Sequence, residues 1–174
     1  MTTLPALTVW QPWATLIAIG AKPYEFRKWR APKAHRGRRI AIHAAARPVR
    51  ARELAGLIES LCGPRAWETC LDAKLALPLL DAAWEATRGR PSGAELAMLP
   101  LSAVVATAML GEPRRGEAVA AEFGGPAFEG TLNDSDRDEH CQWGWPLADV
   151  ERLEPPAPAR GAQGFWTWTD GRLA

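Results

Sequence analysis

An α+β fold, a small mixed β-barrel with surrounding helices, is what this sequence predicts. Three observations carry the prediction. Five or six short strand-like runs are spread over the chain, near residues 4–9, 24–29, 39–45, 102–112, 142–153 and 164–169. The helical stretches fall between some of these runs and do not alternate with them, which argues against a parallel α/β sheet. The length of 174 residues suits one domain that can bury its core without staples.

Residues 4–9 (LPALTV) read as a first strand. Pro12 suits an early helical position. Trp13, Leu16, Ile17 and Gly20 follow at helical spacing, with Gly20 as the stop. Pro23 makes Lys22 extended. In 24–29 (YEFRKW), Tyr24, Phe26 and Lys28 point one way and Glu25, Arg27 and Trp29 the other; the aromatic side is expected to pack inward. Residues 30–38 form a basic loop, and 39–45 (RIAIHAA) a buried strand ending near His43.

Residues 50–62 carry Leu54, Leu57, Ile58 and Leu61 on one stripe, an amphipathic helix. Residues 66–87 are mostly helical and interrupted at Pro78. Residues 88–100 read as loop and 102–112 as an apolar strand. Residues 113–140 read as a mobile polar loop. The run 142–153 is expected to be one or two strands broken at Pro146, Pro155 to Pro158 to be extended, and 164–169 (GFWTWT) to be the last strand.

Net charge is +1, but its distribution is uneven. Residues 1–52 hold 11 Lys/Arg and one acid, Glu25; residues 53–174 hold 10 Lys/Arg and 19 acids. The basic run either meets an anionic partner or is balanced in space by the acidic part. No run of about 18 apolar residues is present, so no membrane span is expected. No signal peptide is apparent, and three cysteines at unrelated spacings suggest a reducing, cytoplasmic setting. Cys62, Cys70, His140 and Cys141 have no ligand spacing, so neither metal nor cofactor is expected.

The ordered set of Trp10-Gln11-Pro12-Trp13, then Gly20, Lys22, Glu25 and Arg27 at G-x-K-x-x-E-x-R spacing, Trp29, Ile42-His43-Ala44, the strand around Val104 and Val105, and Gly161 to Trp166 resembles the ASCH domain family, of the PUA-like superfamily of small β-barrels. The resemblance implies a single ASCH/PUA-like domain over 1–174 and a cleft lined by the opening helix and the G-x-K-x-x-E-x-R strand; the helical segment at about 50–90 is an insertion or elaboration beyond what a minimal family barrel needs. It also implies a role in RNA metabolism or nucleic-acid binding. Some similar proteins are amidohydrolases of an acylated cytidine, or ribonucleases. The amidohydrolase type carries threonine three residues after the motif lysine; here Glu25 stands there.

Lys22 can hold a phosphate as a point charge or, if desolvated, act as base or nucleophile. Glu25 and Arg27, about 7 Å apart along one strand face, can form an ion pair or contact a ligand. Trp10 and Trp29, at element ends, are stacking candidates, whereas Trp13 sits at core spacing. The Gln11 amide can read a base edge. His43 is either a core histidine or a general base. Arg30, Lys33, Arg36, Arg38, Arg39, Arg47, Arg50 and Arg52 can guide a phosphate backbone.

The first reading is therefore a nucleic-acid-binding module for RNA or single-stranded DNA, holding a nucleotide, modified or unmodified, in a basic, Trp-lined cleft. Its site would comprise Trp10, Gln11, Lys22, Arg27, Trp29, Arg30, Arg36, Arg38 and Arg39. The alternatives are a ribonuclease or modified-nucleoside hydrolase using Lys22 with Glu25 or His43, and a protein-interaction adaptor docking through the acidic helical segment.

Overall fold

The computed structural model describes residues 2–88, 95–127 and 142–170. Its strands are β1 (Thr2–Val9), β2 (Tyr24–Arg27), β3 (Arg38–Ala44), β4 (Ala103–Leu110), β5 (Arg114–Arg115), β6 (Trp143–Pro158) and β7 (Phe165–Asp170). Its helices are α1 (Trp13–Ala18), α2 (Ala51–Cys62), α3 (Ala73–Thr87) and α4 (Gly116–Glu122), with short 3-10 turns at Lys33–His35 and Ala66–Thr69.

All seven strands join one sheet, ordered β2-β6-β4-β3-β1-β7, with β5 also on β6. Only β1 and β3 run parallel; the other pairings are antiparallel. The fold is mixed α+β, as expected, but the sheet is not a closed barrel: β2 and β7 end the path unpaired with each other. Side chains span the gap instead of a ladder. The Trp145 and Phe165 rings stack with centroids 6.0 Å apart, and Arg27 Nη2 donates to the Thr8 carbonyl at 3.2 Å.

The longest strand corrects the expected break at Pro146. β6 runs through it and on through the Pro155–Pro158 stretch. Pro146 is where β6 changes partners: residues up to Pro146 pair with β2, and Leu147 onward with β4. A residue with no N–H is tolerated where one ladder hands over to the next. Likewise Pro78 does not interrupt α3, which continues to Thr87. Pro78 is exposed, so the carbonyl it leaves unbonded can turn to water. Part of the expected 113–140 loop is ordered as β5 and α4; Asp134–Glu139, His140 and Cys141 lie outside the described residues.

Helix α1 is short but buried along nearly its whole length. Ala14, Ile17 and Ala18 pack on sheet residues that include Ile40, Ile42, Leu110 and Trp145. Leu16, on its other side, belongs to a second cluster with Leu54, Leu61, Leu80 and Leu99. Trp13 touches both clusters. The apolar stripes of α2 and α3 are thus turned onto α1 and not offered for docking. Asp72 caps α3 by accepting from the Lys74 and Leu75 amides, and Glu53 Oε2 accepts from the Arg50 amide at 2.8 Å at the start of α2.

The charge asymmetry is resolved in space only in part. Arg36 pairs with Glu112 at 3.2 Å, Arg39 with Glu151 at 3.2 Å and Arg47 with Glu53 at 2.9 Å. Acids of the second part therefore answer Arg36, Arg39 and Arg47 of the basic run.

Because α2 and α3 share a cluster with α1, they should unfold with the sheet. Leu80→Ala is expected to cost about 2–5 kcal/mol in one cooperative transition. Urea denaturation followed by tryptophan fluorescence and by circular dichroism checks this; two separate transitions would contradict it.

Candidate nucleotide-binding cleft

The turn after α1 is built on Gly20, whose φ of 77° is a left-handed conformation natural to glycine. The Gly20 amide donates to the Ile17 carbonyl and the Lys22 amide to the Leu16 carbonyl. This returns the chain tightly and drives Lys22 inward, where it is only 6% exposed. Three residues later Glu25 is equally buried. The expected orientation of β2 is thereby corrected: Glu25 faces the interior, and Tyr24 and Phe26 are half-buried. A buried carboxylate is tolerated because two cations answer it.

Those cations are Lys22 and Arg27. Lys22 Nζ lies 3.2 Å from Glu25 Oε2, and Arg27 Nη2 3.0 Å from Glu25 Oε1. Lys22 Nζ also donates to the Tyr24 carbonyl. It sits 5.1 Å from the Phe26 ring centroid and 5.6 Å from that of Trp13. Burial pulls the Lys22 ammonium below its ordinary range; the charge and hydrogen bond of Glu25 oppose this.

Lys22 and Glu25 stand in the wall of a cleft of about 1060 Å³. Trp13 and Phe26 line it from α1 and β2, Leu57 and Glu59 from α2, Trp67 and Cys70 from the 3-10 turn and its cap, and Glu117 from α4. Burial pushes the Cys70 thiol up, against the effect of nearby Lys22. Helix α4 is held in place by Tyr24, which donates to Glu122 at 2.7 Å, and by Arg114, which pairs with Glu122. Gly144 lets α4 approach β6, since a Cβ there would come 2.8 Å from the Val119 side chain. Glu117 Oε2 is buried and has no hydrogen-bond partner among the described residues.

The structure brings Lys22, Glu25 and Arg27 together and places other candidates elsewhere. Gln11 is buried, with Nε2 donating to Thr15 Oγ1 at 2.8 Å and to the Pro100 carbonyl at 2.7 Å, and Oε1 accepting from the Thr15 amide. Its amide is used by the fold and cannot read a base. His43 lies apart from the cleft lining, edge-on to Trp166. Its Nε2 donates to the Ala159 carbonyl at 3.0 Å. Nδ1 is then an acceptor without a partner among the described residues.

Trp10 and Trp29 are exposed, at 59% and 52%, but neither lines the cleft. Arg47 stacks on Trp10 at 4.4 Å, and Arg30 on Trp143 at 4.2 Å. Arg36 and Arg39 are held by Glu112 and Glu151, while Arg38 is exposed. The cleft is not basic: among the described lining residues Glu25, Glu59, Glu68 and Glu117 face Lys22 and Arg65. Among the described residues no cluster of three metal-ligating side chains occurs, and no helix is long and apolar enough to cross a membrane.

A model of the ASCH domain matches residues 7–104, more than half of the chain. The chain belongs to the ASCH domain family. No curated protein matches it. The ASCH match runs from β1 to the start of β4, so it contains Lys22, Glu25, Arg27, Trp67 and Cys70, whereas Glu117 lies beyond it. Sequence reasoning missed Trp67, Cys70 and Glu117. Trp67 had a weak signal, an aromatic in a short polar link between two helices; Glu117 had none.

Two outcomes follow from this chemistry. Glu25→Gln leaves buried Lys22 and half-buried Arg27 without a counterion and should cost about 3–5 kcal/mol. Lys22→Met leaves Glu25 its Arg27 partner and should cost clearly less; equal losses in urea titrations would refute the shared-counterion account.

Burial holds the His43 pKa below 6.5, against the Ala159 hydrogen bond. The unfolded chain therefore binds the proton more readily, and stability falls as pH drops from 6.5 toward the folded-state value. The urea midpoint should decline between about pH 7 and about pH 5, and His43→Gln should flatten that decline.

Proposed function

We propose that this ASCH domain binds single-stranded nucleic acid, RNA foremost, by taking one nucleotide into the cleft beside Lys22 and Glu25. The observation that carries the reading is the buried Lys22–Glu25 pair in a cleft of about 1060 Å³ walled by Trp13, Phe26 and Trp67. Aromatic walls suit a base of any sequence, and each stack contributes roughly 1–3 kcal/mol. Phosphates are met outside the cleft by cations that no acid neutralises among the described residues: Lys28, Lys33, Arg38 and Arg52. Such contacts release counterions, so binding weakens as salt rises.

A fluorescent RNA oligonucleotide titrated at several salt concentrations tests this. Trp67→Ala should weaken binding by about 1–3 kcal/mol at every salt concentration. Lys33→Ala with Arg38→Ala should reduce the salt slope by about 0.7 for each phosphate that is no longer neutralised. Salt-independent binding, or none, would overturn the proposal.

A second reading, hydrolysis of RNA or of a modified nucleoside, has one observation in its favour. Lys22 is desolvated and 3.2 Å from a carboxylate, the setting in which a lysine exchanges a proton. Incubating total RNA with wild type and with Lys22→Met separates the two readings. Cleavage absent from both favours binding alone, and cleavage lost only with Lys22→Met favours the hydrolase.

A further inference from the structure

Beside the cleft, the sheet gathers arginines around one indole. At Trp143, β6 has β2 on one edge and β5 on the other, and both Arg27 and Arg115 are partners of Trp143 in register. Residues directly opposite across a ladder project to the same face, so Arg27, Trp143 and Arg115 stand in one row. Arg30 reaches over the same indole from beyond the end of β2. Its guanidinium carbon lies 4.2 Å from the Trp143 ring centroid, and that of Arg115 lies 5.8 Å from it. The Arg30 and Arg115 charges are therefore within about 10 Å of each other, no farther than the screening length at 0.1 M salt.

Among the described residues this row carries more positive than negative charge. Glu25, the carboxylate that Arg27 meets, is shared with Lys22. No acid among the described residues pairs with Arg115. Glu112 is taken by Arg36 and Glu122 by Arg114, and Glu117 Oε2 is buried without a partner. The guanidiniums remain within reach of solvent: Arg30 is exposed, Arg115 is half-buried, and the Arg27 side chain is 26% exposed. Held against an indole, Arg30 and Arg115 are placed before anything binds, which lowers the ordering cost of binding.

The row adjoins the cleft. Arg115 immediately precedes Gly116, and Trp143 immediately follows Gln142; both Gly116 and Gln142 line the cleft, and the Gly116 amide donates to the Gln142 carbonyl at 2.7 Å. Glu25, in the cleft wall, presents one oxygen to Lys22 and the other to Arg27.

We propose that Arg115, Arg27 and Arg30 form a phosphate site around Trp143, at the rim of the cleft. A phosphate has enough oxygens to be shared between guanidiniums, each of which can give parallel N–H bonds. The inference rests on the nucleic-acid-binding reading and deepens it: the base enters the cleft, and a phosphate of the same strand, internal or 5′-terminal, is held at the rim. Exposed cations such as Lys33 and Arg38 act on the strand by charge; Arg115 acts by its fork as well.

Fluorescence anisotropy with short 3′-labelled RNAs, carrying either a 5′-phosphate or a 5′-hydroxyl, tests this. Arg115→Lys keeps the charge and loses the fork. It should weaken binding of the 5′-phosphorylated RNA about threefold or more, whereas Arg38→Lys should leave it unchanged. Arg115→Gln should weaken it about tenfold or more. A loss confined to the 5′-phosphorylated RNA identifies a terminal phosphate; an equal loss with both RNAs identifies a backbone phosphate. If Arg115→Gln binds both RNAs as wild type does, the site is refuted although the binding function stands. A second measurement needs no RNA. Inorganic phosphate titrated into 15N-labelled protein should shift the side-chain Nε–Hε signals of Arg115 and Arg27 and not that of Arg38, and sodium chloride of equal ionic strength should shift none of them. Such shifts without RNA binding would sink the nucleic-acid reading and leave the phosphate site standing; their absence overturns the site.

Discussion

One carboxylate, shared between two cations, is what the organisation of this molecule depends on. Glu25 is 6% exposed and would be untenable alone. Lys22 approaches one of its oxygens and Arg27 the other. Lys22 ties the pair to the turn that follows α1. Arg27 also donates to the Thr8 carbonyl on β1, across the opening that an unclosed sheet leaves. The cluster joins three elements with one set of contacts and leaves one positive charge in excess beside the cleft.

Burial, ahead of that excess, sets the tension at Lys22. Burial disfavours its charge, while Glu25 preserves it, and Glu25 is itself divided between two partners. The aromatic rings of Trp13 and Phe26 keep water away and give the ammonium a weak additional attraction. The same environment suits a base that enters and stacks. On the opposing α4 wall, Glu117 supplies the complementary sign.

The helical segment acquires a role from α1. A helix of six residues is too short to stand alone. It is held because the sheet takes one side and the α2–α3 pair takes the other. The second cluster is consequently a wall of the cleft as well as a core, since Leu57, Trp67 and Cys70 reach the lining from it or from its connections. The apolar stripes on α2 and α3 are core-facing for the same reason.

Local chemistry made much of this legible. Strand runs, the Gly20 stop, the α2 stripe and the spacing of Lys22, Glu25 and Arg27 each depend on residues near one another in the chain. Alternation placed Glu25 and Arg27 on one face correctly, but it could not say that this face was buried, because burial of a carboxylate depends on partners. The continuous β6 and the uninterrupted α3 were missed because a proline's cost depends on whether its position needs an N–H. What the sequence determined by itself is the local motif and the elements that carry it. Tertiary structure decided the rest: which cations are neutralised, that the sheet stays open, and that Glu117 meets residues some ninety positions earlier in the chain. Those outcomes are set by long-range pairing, where charges and hydrogen-bond donors find or fail to find partners. No pattern of neighbouring residues encodes them.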